Sequence, residues 1–194
     1  MSIRATALGA AALLALAGCN RSEPQAPNGT TADTMTTNGI DGNAMADATP
    51  AALPAAQVFA NAAAASDAFE IETSKLALTN GASASVKGYA RKMIEAHTAS
   101  TAKLKTAAGS ATPAITPDPA LNAEQQQKLD QLKGLNGTAF DQAYIAEQTA
   151  GHQQTLDTLK AYAATGDVAP LKTFATGLIP TVAAHLNMAK GLKA

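Results

Sequence analysis

Apolar side chains recur every three or four residues along four long segments, and this spacing limits the possible fold more than any other feature of the sequence. That step matches one face of an α-helix, whereas the alternation typical of half-buried strands is nearly absent. The clearest stripe ends the chain and contains Leu171, Phe174, Leu178, Val182, His185, Ala189 and Leu192. The sequence therefore predicts an all-α fold.

Helix-stop signals divide this part of the chain into four main helices and a shorter one. Pro54 suits a first helical turn, and Asn80-Gly81 and Gly109 are typical residues just beyond a helix end. The main helices are expected over 54–80, 83–108, 138–164 and 168–192, and the short one over 122–133, before the third main helix. Short connections favour antiparallel neighbours, so we expect an antiparallel four-helix bundle.

The first twenty residues have the pattern of an export signal. One basic residue, Arg4, precedes an apolar run that ends in Leu16, Ala17, Gly18 and Cys19. The run is shorter than the roughly 20 residues that span a bilayer, so it indicates a secretory signal peptide over 1–18. The "LAGC" motif resembles the bacterial lipobox, in which the cysteine is acylated and becomes the first mature residue. We therefore expect lipidation of Cys19, with the membrane as partner through that lipid.

Residues 19–53 are rich in Pro, Gly, Thr, Asn and Asp and contain few large apolar side chains. Such a segment buries too little surface to fold, so it is expected to be a disordered, lipid-anchored linker ahead of a folded domain over 54–194. The resemblance to proteobacterial lipoproteins, in which a residue other than Asp after the cysteine favours the outer membrane, implies that location for a chain with Asn20, facing the periplasm. The formal charge is −1 with dispersed Lys and Arg, which argues against nucleic-acid binding.

The chain has only three histidines, and they fall on three different predicted helices. His97, His152 and His185 each lie on or beside the apolar stripe, and Glu70 lies on the remaining main helix. One ligand-type residue per helix is how bundles build internal metal sites, and imidazole and carboxylate suit zinc, copper, iron or nickel. The alternative is that the histidines are core residues whose ring nitrogens bond to the backbone or to a carboxylate. Counted along the helices, His97 and His152 could share a level, with His185 a turn or two away.

The sequence lacks the motifs of a ferritin-like di-iron site and of a serine nucleophile. The Glu-x-x-His pairs of ferritin-like di-iron sites are missing, since Ile94, Thr149 and Val182 stand three residues before the histidines. There is also no Gly-x-Ser-x-Gly motif for a nucleophilic serine. We therefore predict no catalytic residues, and a hydrolase ranks behind the two functions given below.

Four blocks of sequence resemble a widespread family of exported bacterial proteins. They run over 58–78 ("VFANAAAASDAFEIETSKLAL"), 86–104, 140–159 and 171–192, so the resemblance covers nearly the whole body. The family is known as domain of unknown function 4142, and its members are often described as predicted outer-membrane proteins. The resemblance implies a ferritin-like four-helix bundle and no known reaction. Ala96 and Gly151 stand where the family usually has an acidic residue before the histidine.

Two functions remain open from the sequence. The first is a cell-envelope lipoprotein whose helical domain is a binding or structural module with a protein or small-ligand partner. The second is a metal-binding ferritin-like protein, with redox activity as one option, that holds a transition metal through Glu70, His97, His152 and His185.

Overall fold

The computed structural model describes residues 53–194 and shows five α-helices with no strand among these residues. They are α1 (Ala55–Asn80), α2 (Ala84–Gly109), α3 (Ala123–Lys133), α4 (Gly137–Thr165) and α5 (Ala169–Gly191). The all-α prediction is confirmed, and each predicted helix is present with ends close to their expected positions. The predicted signal peptide, Cys19 and all of the predicted linker except Leu53 lie outside the described residues.

Local sequence explains several of these helix ends. Asn122 caps α3 in a capping box with Gln125, in which each side chain bonds the other residue's backbone N–H. Pro170 occupies the first turn of α5, where its missing N–H costs no helical bond. Gly137 begins α4 with a φ of 63°, a value that side-chain-bearing residues rarely adopt.

The four long helices pack side by side, each against two others. α1 contacts α2 and α4, and α5 contacts the same two helices, while α3 lies against α1 and α4. The turn between α1 and α2 is fixed by the buried Asp141 of α4, whose Oδ2 accepts hydrogen bonds from the backbone N–H of Ala82 (3.2 Å) and Ser83 (2.7 Å). No helix of residues 53–194 has the length and apolarity needed to cross a membrane.

The interior consists of two apolar cores with a polar layer between them. One core contains Phe59, Leu104, Leu159 and Phe174, and the other contains Met93, Phe140 and Tyr144. Along α1, α2 and α4, the residues of one core give way to buried polar residues before the second core begins. α5 contributes a single buried histidine to this layer. The layer contains Asp67, Glu70, Thr73, Ser74, His97, Ser100, Gln148, His152 and His185.

Candidate metal centre

The three histidines meet in this polar layer. His97 comes from α2, His152 from α4 and His185 from α5, and each is buried. Their ring centroids are 5.4–5.7 Å apart, and one ring nitrogen of each lies within 4.8 Å of one nitrogen of both others. The three imidazoles therefore converge in the interior between the helices, which the sequence had left as a possibility.

A carboxylate on α1 orients the first ring. Nδ1 of His97 lies 2.8 Å from Oδ1 of the buried Asp67, while Oδ2 of Asp67 accepts a hydrogen bond from the Thr101 hydroxyl at 3.2 Å. An imidazole that donates Nδ1–H to a carboxylate presents Nε2 as the free ligand atom, as histidines bound to metals do. Asp67 thus fixes the tautomer and the direction of His97.

The second ring is held by its own helix. Nδ1 of His152 lies 2.8 Å from the carbonyl oxygen of Gln148, one turn earlier on α4, so this nitrogen donates and Nε2 is left free. Glu70 lies behind the same ring: its Oε1 is 3.8 Å from Nδ1 of His152, and its Oε2 accepts a hydrogen bond from the Gln148 amide. The carboxylate therefore faces the outer nitrogen of His152, away from the free one.

The space for Glu70 depends on a glycine. A Cβ at position 151 would lie 3.2 Å from Oε1 of Glu70, closer than ordinary van der Waals contact. Gly151 is the position where the resembling family usually has an acidic residue, and its lack of a side chain lets Glu70 approach α4. The departure from the family pattern thus has a structural counterpart at the site.

Each of the three rings retains one nitrogen without a hydrogen-bond partner among residues 53–194. These atoms are Nε2 of His97, Nε2 of His152 and Nδ1 of His185. A buried polar atom left unpaired costs about 1–3 kcal/mol, so three of them in one layer are unusual for core histidines. A metal ion among the three nitrogens would give every one of them a partner.

The histidine nitrogens would have to move closer together to bind one ion. Metal–nitrogen bonds are ~2.0–2.1 Å, so nitrogens on one tetrahedral ion are about 3.3–3.4 Å apart. One ring nitrogen of each histidine lies within 4.8 Å of one nitrogen of both others. Binding of one ion would therefore bring these nitrogens closer together by up to about 1.5 Å.

Burial keeps two of the rings neutral. Burial, aided by a positive charge on His97, lowers the pKa of His152 to about 3 and that of His185 to about 4. Burial alone would also lower the pKa of His97, but the hydrogen bond to Asp67 and the charges of Glu70 and Asp67 outweigh it and raise the pKa. The layer therefore holds two neutral imidazoles with free lone pairs and a third whose proton a metal must displace.

Burial also governs the carboxylate behind His152. Removal from water raises the pKa of Glu70 from 4.5 to about 7, against the lowering effects of His97 and of the Gln148 hydrogen bond. Near neutral pH this carboxyl is therefore present in both its protonated and its ionised form, beside a ring that would bind metal.

The structure refines the expected level of His185 and the expected role of Glu70. The level of His185 relative to His152 is set by the short α4–α5 turn. The stretch from His152 to the end of α4 at Thr165 is almost as long as the stretch from the start of α5 at Ala169 to His185. The two separations differ by about three residues, which corresponds to about 4.5 Å of helix rise and is less than one turn. Glu70, in turn, is not grouped with the histidines as a ligand of the same point, since it faces the outer nitrogen of His152.

Asp67 was missed in the sequence, although a signal for it exists. The number of residues from Asp67 to the end of α1 at Asn80 equals the number from the start of α2 at Ala84 to His97. Two residues equally far from a tight helix–helix turn lie at the same level of an antiparallel pair. Counting from the turn therefore selects Asp67, and not Glu70, as the α1 partner of His97.

Comparison with protein families gives a match over most of the chain. The model of the family described as domain of unknown function DUF4142 matches residues 42–192. The chain belongs to the DUF4142 family. A comparison with curated proteins finds no match. This DUF4142 protein is also similar to a solved structure described as CopM in the Cu(II)-bound form, with a TM-score of 0.58 and 17% sequence identity over 70% of this chain and 93% of that one. At that identity the similarity supports the helical fold alone.

Proposed function

We propose that this DUF4142 protein binds one transition metal ion, with copper as the first candidate, through His97, His152 and His185. The observation that carries the proposal is the convergence of three buried histidines, with one ring nitrogen of each within 4.8 Å of one nitrogen of both others, together with a buried, unpartnered nitrogen on every ring. Of the two functions left open by the sequence, metal binding accounts for these atoms. A purely structural module leaves them unexplained.

The supporting residues strengthen this interpretation. Metal-binding histidines almost always donate their second ring nitrogen to a carboxylate, a backbone carbonyl or water. His97 has Asp67 and His152 has the Gln148 carbonyl in that role. The outer nitrogens of His97 and His152 are thus occupied in the way that leaves the other nitrogen of each ring free for a metal.

The donor set narrows the choice of metal. Three imidazole ligands without thiolate or carboxylate in direct range suit copper or zinc better than magnesium, calcium or manganese. The CopM structure, which is similar in fold, contains Cu(II) according to its description. This makes copper the first ion to offer and zinc the second.

The wider setting of this function is also a proposal. The four long helices are interpreted as an antiparallel four-helix bundle of ferritin-like type, with α3 as the extra helix. Lipidation of Cys19 would attach this domain to a membrane after export, with the outer membrane facing the periplasm as the preferred location. In that setting the domain would meet metal ions from outside the cytoplasm.

Metal titration tests the proposal. Purified protein is stripped with a chelator and titrated with Cu(II) and Zn(II) against a competing chromophoric chelator. We expect one tightly held ion per chain, and loss of that binding in the His97→Ala/His152→Ala double variant with its far-UV circular dichroism unchanged. Asp157→Asn, a change to an exposed carboxylate of α4, is the matched control. The proposal fails if the protein retains no ion or if the double variant binds as wild type does.

A further inference from the structure

A small cavity adjoins the histidine layer on the side of the core that contains Phe59 and Phe174. His97 and His185 form part of its wall, and its volume is about 30 Å³. The rest of its lining includes Leu159, Phe174, Leu178 and Val182. The cavity is thus mainly apolar and lies beside two of the rings that would hold the ion.

Three protein ligands leave a metal with an open position. Sites with three ligands and a free fourth place are those that bind water or an exogenous molecule, whereas structural sites are closed by four protein ligands. Glu70 does not fill the fourth position here, because it faces the outer nitrogen of His152. We propose that the ion held by the three histidines binds a small, uncharged diatomic molecule from this cavity, an inference that rests on the proposed metal site.

The size of the cavity sets the size of that molecule. One water needs about 10–15 Å³ of such volume, so a cavity of about 30 Å³ holds roughly two water-sized groups. This is enough for a molecule of two atoms.

The residues that line the cavity bear on the charge of the bound molecule. The carboxylate oxygens of Asp67 are engaged by His97 and Thr101, and the hydroxyls of Ser66 and Thr155 lie within hydrogen-bond distance of each other at 3.1 Å. Ser100 and Thr181 also line the cavity, but most of the remaining wall is apolar and offers an anion little stabilisation beyond the charge of the ion itself. On a monovalent ion such as Cu(I), an uncharged ligand is therefore favoured over azide or chloride.

Carbon monoxide on the Cu(I)-loaded protein is the probe. Cu(I) retention is first measured against a competing Cu(I) chelator, and the C–O stretch is then followed by infrared spectroscopy during a CO titration. We expect a single bound-CO band at one CO per copper, and weak or no binding of azide to the same Cu(I)-loaded protein. Binding of CO as a ligand involves no electron transfer.

Substitutions that fill the cavity test whether the bound CO lies in it. Ala63, on α1, lines the cavity, so Ala63→Leu should weaken CO binding by at least about tenfold while Cu(I) affinity is unchanged, and Ala63→Val should have a smaller effect. Ala68→Leu is the control, since Ala68 is equally half-buried on α1 and does not line the cavity.

The outcomes separate the two proposals. If copper is not retained, the proposed metal site fails and this inference with it. If copper is retained but no CO band forms, if azide binds and CO does not, or if Ala63→Leu and Ala63→Val both fold, hold copper and bind CO as wild type does, only the cavity inference is overturned.

Discussion

Replacement of Glu70 by glutamine should change how the stability of the metal-free protein depends on pH. Glu70 is 2% exposed and lies between the Gln148 amide and the outer nitrogen of His152. Burial raises the pKa of its carboxyl from 4.5 to about 7. Glutamine keeps the size of the side chain and an oxygen that can accept from Gln148, but it cannot ionise.

The sign and size follow from linkage between protonation and folding. The folded state holds the Glu70 proton more tightly than the unfolded chain, so this contribution to stability is fully present below pH 4.5 and is lost as the pH rises through about 7. The complete loss is about 3 kcal/mol, since each tenfold change in an equilibrium constant is ~1.4 kcal/mol. Between pH 5 and pH 8 the stability of wild type relative to Glu70→Gln should fall by roughly 2–3 kcal/mol.

Urea unfolding followed by far-UV circular dichroism measures this difference. Both proteins are kept metal-free with a chelator and unfolded at half-unit steps from pH 5 to pH 8. The charge of Glu70 raises the pKa of His97, so the comparison removes only the part of the histidine titration that does not depend on Glu70. Glu72→Gln is the control, because Glu72 is an exposed glutamate two residues away on the same helix. It should follow wild type at every pH.

Parallel stability curves for wild type and Glu70→Gln would refute this reasoning. That result would mean that the carboxyl ionises in the folded protein as easily as in the unfolded chain. The buried position of Glu70 behind His152 would then be wrong.

Three further predictions follow from the same contacts. Asp67→Asn should weaken copper binding by roughly tenfold or more in a chelator competition, because loss of a partner that orients a metal-binding histidine typically costs 10–100-fold in metal affinity. The control Asp157→Asn should leave copper affinity unchanged. Copper affinity should fall as the pH is lowered, since the raised pKa of His97 makes the metal compete with a proton for that ring, and an affinity that stays constant on acidification would contradict this. Asp141→Ala should lower the free energy of unfolding by about 1–3 kcal/mol, because it leaves the N–H groups of Ala82 and Ser83 without their acceptor, while copper affinity stays unchanged.

The fold could be predicted from the sequence to a large extent, because its determinants are local. The periodic stripes and the stop signals at Asn80-Gly81 and Gly109 depend only on neighbours in sequence, and the observed helices follow them. The site was predictable as a set of residue types on the right helices. The three histidines are the only ones in the chain, so no choice among them was needed.

What the sequence did not reveal depends on contacts between helices. The pairing of Asp67 with His97 requires the register of α1 against α2, and the direction of Glu70 requires the packing of α1 against α4 at Gly151. A stripe of apolar residues defines a helix face but does not say which atoms of neighbouring helices meet. The cavity beside His97 and His185 is less predictable still, since it is the volume that all four long helices leave unfilled.

The most direct test of the central claim is a count of the imidazoles bound to the metal. X-ray absorption of the copper-loaded protein, together with pulsed electron paramagnetic resonance of the Cu(II) form, measures the nitrogen ligands and the remote ring nitrogens. We predict three histidine ligands on one ion, at nitrogen distances of ~2.0 Å. A bound copper with one imidazole or none would contradict a site built from His97, His152 and His185.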